Sequence, residues 1–399
     1  MWQVDNRTRY VTDGRGTGMN AELPLWLLAA SCCFPSGPTI ALADAALRAQ
    51  LSLTRRHPSY RDRAGVPARV SSFPDPDGRI EGRPDARRWG WLARHALAQL
   101  TTSLAPHWES LLDRPRWLWL VLPDEHRHGV PADLPAAIRH AMTQDLWPWS
   151  KVNVVRGGHA AGLLALEQAR DALRAVSLRT GEVQPLAVVL ATDAATDAES
   201  LAWLDAQNLL HGAHVHRPAG PRALAHGRVP GEGAAALALM GTSEASNLAA
   251  PPSARVLGCS TGLEPTDRHG ERPCVGAGLS AAARNAIAQA GSGRPPIGLL
   301  FSDMNGEPYR ADEFGFTALR LGPELREGWR RHTPALACGD LHGASGVANL
   351  AMAAYQLSKL STAQGCLVLS SSDDPLRGAA LLASAGNGGN LPMEAQAWR

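Results

Sequence analysis

Val152-Asn153-Val154-Val155 runs through Arg156 into Gly157-Gly158-His159-Ala160, and from there Ala161, Leu164, Ala165, Ala169, Ala172 and Leu173 fall on one helical face. The β-branched run predicts a strand, the paired glycines a tight turn and the apolar spacing a helix. Such a junction is the repeating unit of a parallel sheet with crossover helices, so its reading sets the class as α/β.

Reading outward, the same alternation recurs on both sides. Strands are predicted over 25–33, 117–122, 186–190 and 234–240, with helices over 38–51, 89–104 and 134–142. Residues 52–88, rich in Pro, Arg and Asp, read as a long polar excursion. After a Ser/Ala/Pro stretch at 243–253 the pattern restarts, with strands over 256–258, 297–301, 366–370 and 377–384 and helices over 279–290 and 346–360. The expected organisation is a loose leader over 1–20, a first half over 21–245 and a second over 254–399.

Composition narrows the function. The 399 residues carry 39 Lys+Arg against 37 Asp+Glu and are 45% hydrophobic, which supplies ample core and excludes a disordered or polyanion-coating chain. Arg55, Arg56, Arg61 and Arg63 alternate with Asp62, Asp75 and Asp77, so no basic stripe calls for nucleic acid. The apolar run at 23–34 is about half the ~20 residues a membrane helix needs. It ends in Leu28-Ala29-Ala30-Ser31-Cys32, but Glu22 and Pro24 spoil a signal segment, and a buried first strand is the expectation. Six scattered cysteines suit neither a zinc site nor a disulfide scaffold, which points to a reducing cytoplasm.

Individual clusters read quietly. His211, His214, His216 and His226, and the run Asp124-Glu125-His126-Arg127-His128, are expected on surface loops, with no metal and no cofactor called for. Asp303, Asn305, Glu307, Arg310, Asp312 and Glu313 follow a buried strand; the choice is between a solvated acidic loop, which is preferred, and a ligand or metal site at a strand C-terminus. Asp373-Asp374 reads as an exposed turn. Trp147 and Trp149 flank Pro148 as candidates for an interface or pocket rim.

Pro230-Gly231-Glu232-Gly233-Ala234-Ala235, Gly158-His159-Ala160-Ala161, Gly343-Ala344-Ser345-Gly346 and Gly386-Asn387-Gly388-Gly389 occur in the order and rough spacing of motifs in the β-ketoacyl synthases. Over residues ~22 to ~390 the chain resembles that branch of the thiolase superfamily. The resemblance implies the thiolase-like fold: two pseudo-symmetric βαβαβαββ halves in five αβαβα layers, forming a two-fold dimer.

It also exposes departures. A condensing enzyme needs a thiolate at a helix N-terminus, where the macrodipole and free backbone N–H groups lower its pKa and bind the oxyanion. Aligned on the strand 152–155, that position falls on Arg156, and no Cys or Ser lies within 151–163; an alternative alignment would select Ser150, which precedes the strand. The family's two histidines align with Asp303, in Asp303-Met304-Asn305-Gly306-Glu307-Pro308, and with Asp340, in Gly339-Asp340. At an effective dielectric of about 20, attraction and repulsion between unit charges about 4 Å apart differ by about 8 kcal/mol. Carboxylates there repel a malonyl carboxylate.

The expectation is therefore a catalytically inactive ketosynthase-like protein, with no catalytic residue at Arg156, Asp303 or Asp340, and with His159, Asn305, Glu307, Cys338 and Gly388 around the former pocket. Cys338 reads as a buried apolar thiol and His159 as structural. The function is read as binding, adaptor or scaffold for a protein partner. The run Asn-Gly-Glu-x-Tyr-Arg at 305–310, with Cys-Gly-Asp at 338–340, looks like that of thiolase-like proteins encoded beside bacterial type VI secretion effectors. Two alternatives stay open: a chain-length-factor-like subunit paired with an active ketosynthase or acyl carrier protein, and an enzyme using Asp303 and Asp340 on an acyl-like ligand.

Overall fold

A computed structural model describes residues 24–73, 85–143, 148–178, 183–215, 220, 222–241, 250–266, 268 and 272–385. The leader 1–20, most of the stretch 243–253, His216, Trp147 and the closing glycine turn with Gly388 lie outside them.

The first half carries β1 Leu25–Cys33, α1 Ile40–Arg48, β2 Arg55–Arg61, β3 Pro67–Val70, α2 Ala86–Ser103, α3 Trp108–Leu111, β4 Arg116–Leu122 and α4 Leu134–Thr143. It continues with β5 Lys151–Arg156, α5 Ala161–Ser177, β6 Leu186–Ala194, α6 Ala198–Ala206, β7 His214–Val215, β8 Arg222–Ala223 and β9 Glu232–Gly241. The second half carries β10 Ala254–Leu263, α7 Ala277–Gln289, β11 Ile297–Ser302, α8 Pro308–Leu321, β12 Leu325–His332, α9 Ala335–Cys338, α10 Ser345–Ser358, β13 Gly365–Ser371 and β14 Leu376–Ser384.

The strands line up as β12-β11-β13-β14-β10-β1-β9-β6-β4-β5. Two five-stranded units mirror each other in this order. In each, three parallel strands (β4, β5, β6; β11, β12, β13) are followed by two antiparallel ones (β9, β1; β14, β10). Within the ten-stranded sheet, Leu25–Leu27 pairs with 254–256 where the two units meet. Strands β6, β9, β13 and β14 are buried along their whole length, the pattern of a sheet covered on both faces.

Three large apolar clusters define the layers. One packs α2 and α4 on the outer face of the first unit, another packs α7 and α8 on that of the second, and the largest encloses α5 and α10 between the two. These central helices meet backbone to backbone. A Cβ at Gly162 of α5 would lie 2.7 Å from the Val347 nitrogen of α10, so only glycine fits.

Several expectations need correction. The excursion at 52–88 contains the hairpin β2–β3, whose strands are too polar to show an apolar alternation; His57, Ala68 and Val70 turn inward, the last two against Leu201 and Leu204 of α6. α6 itself, unread in the sequence, starts at Asp197, whose carboxylate accepts the N–H groups of Glu199 and Ser200. The polar run after Ser302 is no solvated loop. It enters α8 at Pro308, and Asp303, Asn305, Glu307, Arg310 and Glu313 are all buried.

Candidate functional site

The parallel strands of both units deliver their C-terminal ends to one place. Into it come His159 after β5, Asp303 to Arg310 after β11, Asp340 and His342 after β12 and α9, and Ser370 to Asp373 at the end of β13, with Arg228 from the segment before β9. Crevices at the carboxyl ends of α/β strands are where such folds place their sites.

His159 sits just before α5 and is 1% exposed. Its Nε2 lies 2.7 Å from Asp340 Oδ1, and Arg310 Nη2 lies 3.1 Å from its Nδ1. Arg310 can only donate, so the imidazole accepts at Nδ1 and donates from Nε2 to the carboxylate. Arg310 also pairs with Asp303 at 3.3 Å, Glu307 at 3.1 Å and Asp373 at 2.8 Å. Arg228, fully buried, reaches Glu307 at 2.9 Å, Asp373 at 3.0 Å and Asp340 at 3.3 Å. Arg268 adds ion pairs to Glu307 at 3.1 Å and Asp373 at 3.4 Å. Asn305 bridges Glu307 and Asp340 through its amide.

This network holds its carboxylates and guanidinium groups in charged form. Burial raises the Asp340 and Asp373 carboxyls, but the His159 hydrogen bond and Arg228 at the first, and Arg228 and Arg310 beside the second, hold both well below the ordinary carboxylate range. Burial likewise opposes charge on Arg310, yet Asp303, Asp373 and Glu307 keep its pKa well above the usual value. Burial pushes the His342 imidazole well below its ordinary pKa.

Of the residues singled out from sequence, the structure brings together His159, Asp303, Asn305, Glu307 and Asp340. Arg156 is elsewhere: its guanidinium turns to the Pro123 carbonyl at 3.3 Å and to Glu125 at 3.7 Å. Ser150 is exposed and donates to the Arg116 carbonyl. Cys338 is enclosed, donates to the Pro334 carbonyl at 3.1 Å, and has its thiol pushed up to about 12 by burial and by Asp340. All six cysteines are free and buried.

Hydroxyls do approach the start of α5. Ser372 Oγ accepts the Ala160 N–H at 3.0 Å, and Gly158 admits it because a Cβ there would stand 3.0 Å from the Ser372 side chain. Ser370 Oγ lies 2.8 Å from Asp303 Oδ2 and 3.0 Å from the His159 carbonyl. Both serines are buried, and their hydroxyls serve these bonds.

His159, Asp340 and His342 place ligand-type atoms within 4.8 Å of one another. They fit a metal poorly. Both ring nitrogens of His159 are engaged, and Arg228 Nη1 lies 3.3 Å from both Asp340 Oδ2 and His342 Nδ1, so guanidinium groups already supply the positive charge.

Sequence reading missed Arg228 and His342 and took Asp373 for an exposed turn. The signal for Asp373 was present in Ser370-Ser371-Ser372-Asp373, a polar run closing a buried strand; its side chain is 30% exposed and pairs with three arginines. Arg127, placed on a loop, is in fact clamped by both oxygens of Asp193 at 2.8 Å, and Asp193 also accepts the Gly343 N–H. Of the other histidines expected on loops, His214 instead opens the short strand β7 and bonds Asp62 at 3.0 Å, while His226 is exposed.

This is the thiolase-like fold of the ketosynthases. The sequence matches no protein-family model and no curated protein. Solved structures do resemble it. The ishigamide ketosynthase/chain length factor superposes with a TM-score of 0.60 at 19% identity, over 90% of this chain and 99% of that one. The AntDE ketosynthase of a type II polyketide synthase, in complex with its acyl-carrier protein AntF, gives 0.68 at 14% identity over 91% and 99%. The ketosynthase from module 6 of the bacillaene synthase of Bacillus subtilis 168 gives 0.68 at 12% over 92% and 72%. Among the described residues no helix is long and apolar enough to cross a membrane.

Proposed function

We propose that this chain keeps the ketosynthase body as a binding scaffold and has lost decarboxylative condensation. The observation that carries this reading is the ion-pair network of Arg228, Arg310, Asp303, Glu307, Asp340 and Asp373 packed in front of α5. Asp303 and Asp340, in the family's histidine positions, are fixed by arginines rather than free to assist a malonyl group. The α5 entry offers Gly157-Gly158-His159 instead of a thiolate, and Ser372 occupies the Ala160 N–H that an oxyanion would use.

On this reading the protein is cytoplasmic, forms a homodimer and serves as an adaptor, with type VI secretion effectors as the partner class suggested by the run 305–310. Incubation with acyl and malonyl thioesters, followed by intact-mass spectrometry and a carbon dioxide release assay, tests the loss of chemistry. The expected result is no covalent adduct and no decarboxylation above buffer. Stoichiometric acylation at any residue overturns it.

A second reading is favoured by a specific observation: β5 is an edge strand, and ketosynthase/chain length factor pairs are among the similar structures. A chain-length-factor-like role predicts a heterodimer on co-expression with a candidate synthase. A homodimer that persists under those conditions rules it out.

A further inference from the structure

Away from the strand-end cluster, α1, the end of α10, α9 and the strands β11 and β12 enclose a groove of about 1220 Å3. We propose that this groove docks an acidic, partly apolar peptide segment of a partner protein. The inference does not depend on whether condensing chemistry is lost.

Charge carries the argument. Arg48, Arg326, Arg330, Arg331 and Lys359 line the groove against one carboxylate, Asp44. That carboxylate is spent. It is 1% exposed and already takes Arg48 at 3.0 Å, the Gln356 amide at 2.9 Å and Lys359 at 3.6 Å. Arg326 and Arg330, both exposed on β12, have no carboxylate partner among the described residues. Five cations held together in a chain whose net charge is only +2 make a local field that favours a polyanion.

Size and lining choose the kind of anion. The groove exceeds the roughly 300–1,000 Å3 that suits a small organic ligand. Between its cations stand Leu336, 64% exposed, and Leu360, 38% exposed, with Leu47 and Leu299 beneath. A lone phosphate leaves those leucines bare. A segment that alternates carboxylates with apolar side chains satisfies both, in the manner of acidic-motif recognition by arginine clusters.

The test uses the whole protein and a fluorescein-labelled peptide of Glu-Glu-Leu repeats, read by fluorescence anisotropy. Saturable binding is expected, weakening as salt rises, and falling about tenfold or more in R326E/R330E at an unchanged melting temperature. Because both arginines are exposed, that variant is expected to fold. Equal binding by R326E/R330E overturns the proposal. So does equal affinity for Glu-Glu-Ser repeats or complete displacement by equimolar tripolyphosphate, which would mark a simple anion site, and so does equal affinity for an oligonucleotide of the same charge.

Discussion

Replacing Arg228 by Met removes the guanidinium that touches Glu307, Asp340 and Asp373 while leaving a side chain of similar length. Arg228 has no exposed surface, and in the network three arginines face Asp303, Glu307, Asp340 and Asp373. The variant leaves two cations among four buried or half-buried acids. Removing one partner of a buried ion pair costs about 3–5 kcal/mol. Unfolding entropy scales with length, so for 399 residues about 0.8 kcal/mol/K converts that loss into a melting temperature lower by about 4–6 °C. The effect has a pH signature. Asp340, Asp373 and Glu307 have depressed pKa values, so their contribution is present above the ordinary carboxylate pKa of about 4 and is lost as pH falls through the folded values. The gap between wild type and R228M should therefore be full at pH 7 and shrink below pH ~4. Differential scanning calorimetry at both pH values measures it, and R228M/E307Q should recover part of the loss because it removes one stranded acid. A shift under about 1 °C at pH 7, or no recovery in the double variant, refutes the claim that the network is a tightly coupled buried unit.

Other outcomes follow from the same contacts. G162A should destabilise by about 1–3 kcal/mol in urea unfolding, because α5 and α10 must part to admit the methyl group. Native protein at neutral pH should resist alkylation at all six cysteines, Cys338 included, whereas mass spectrometry after unfolding should count six adducts. D197A should lower stability by about 1 kcal/mol through loss of the α6 cap, with no change in oligomeric state by sedimentation.

The strands were legible wherever burial on both faces left an uninterrupted apolar run. β1, β4, β6, β9, β11, β13 and β14 all announce themselves this way, as does the turn into α5. β12 did not, since Leu325-Arg326-Glu327-Gly328-Trp329-Arg330-Arg331-His332 is an exposed edge whose charges resemble a loop. α8 hid for the opposite reason. Its first turns carry Arg310 and Glu313, which are buried only because Ser371 and Asp373 at the end of β13 and Arg377 of β14 meet them there.

By itself the sequence determined the α/β class and the doubled order of elements, because local periodicity and residue identity are properties of the chain. Only the tertiary structure decided that Arg156 stays apart from Asp303 and Asp340, and that Arg228, Arg310 and Asp373 complete the network. The physical reason is distance: a buried charge survives only beside its counterion, and counterions such as Arg228 and Glu307, or Arg310 and Asp373, lie 79 and 63 positions apart in sequence and come within about 3 Å solely through folding.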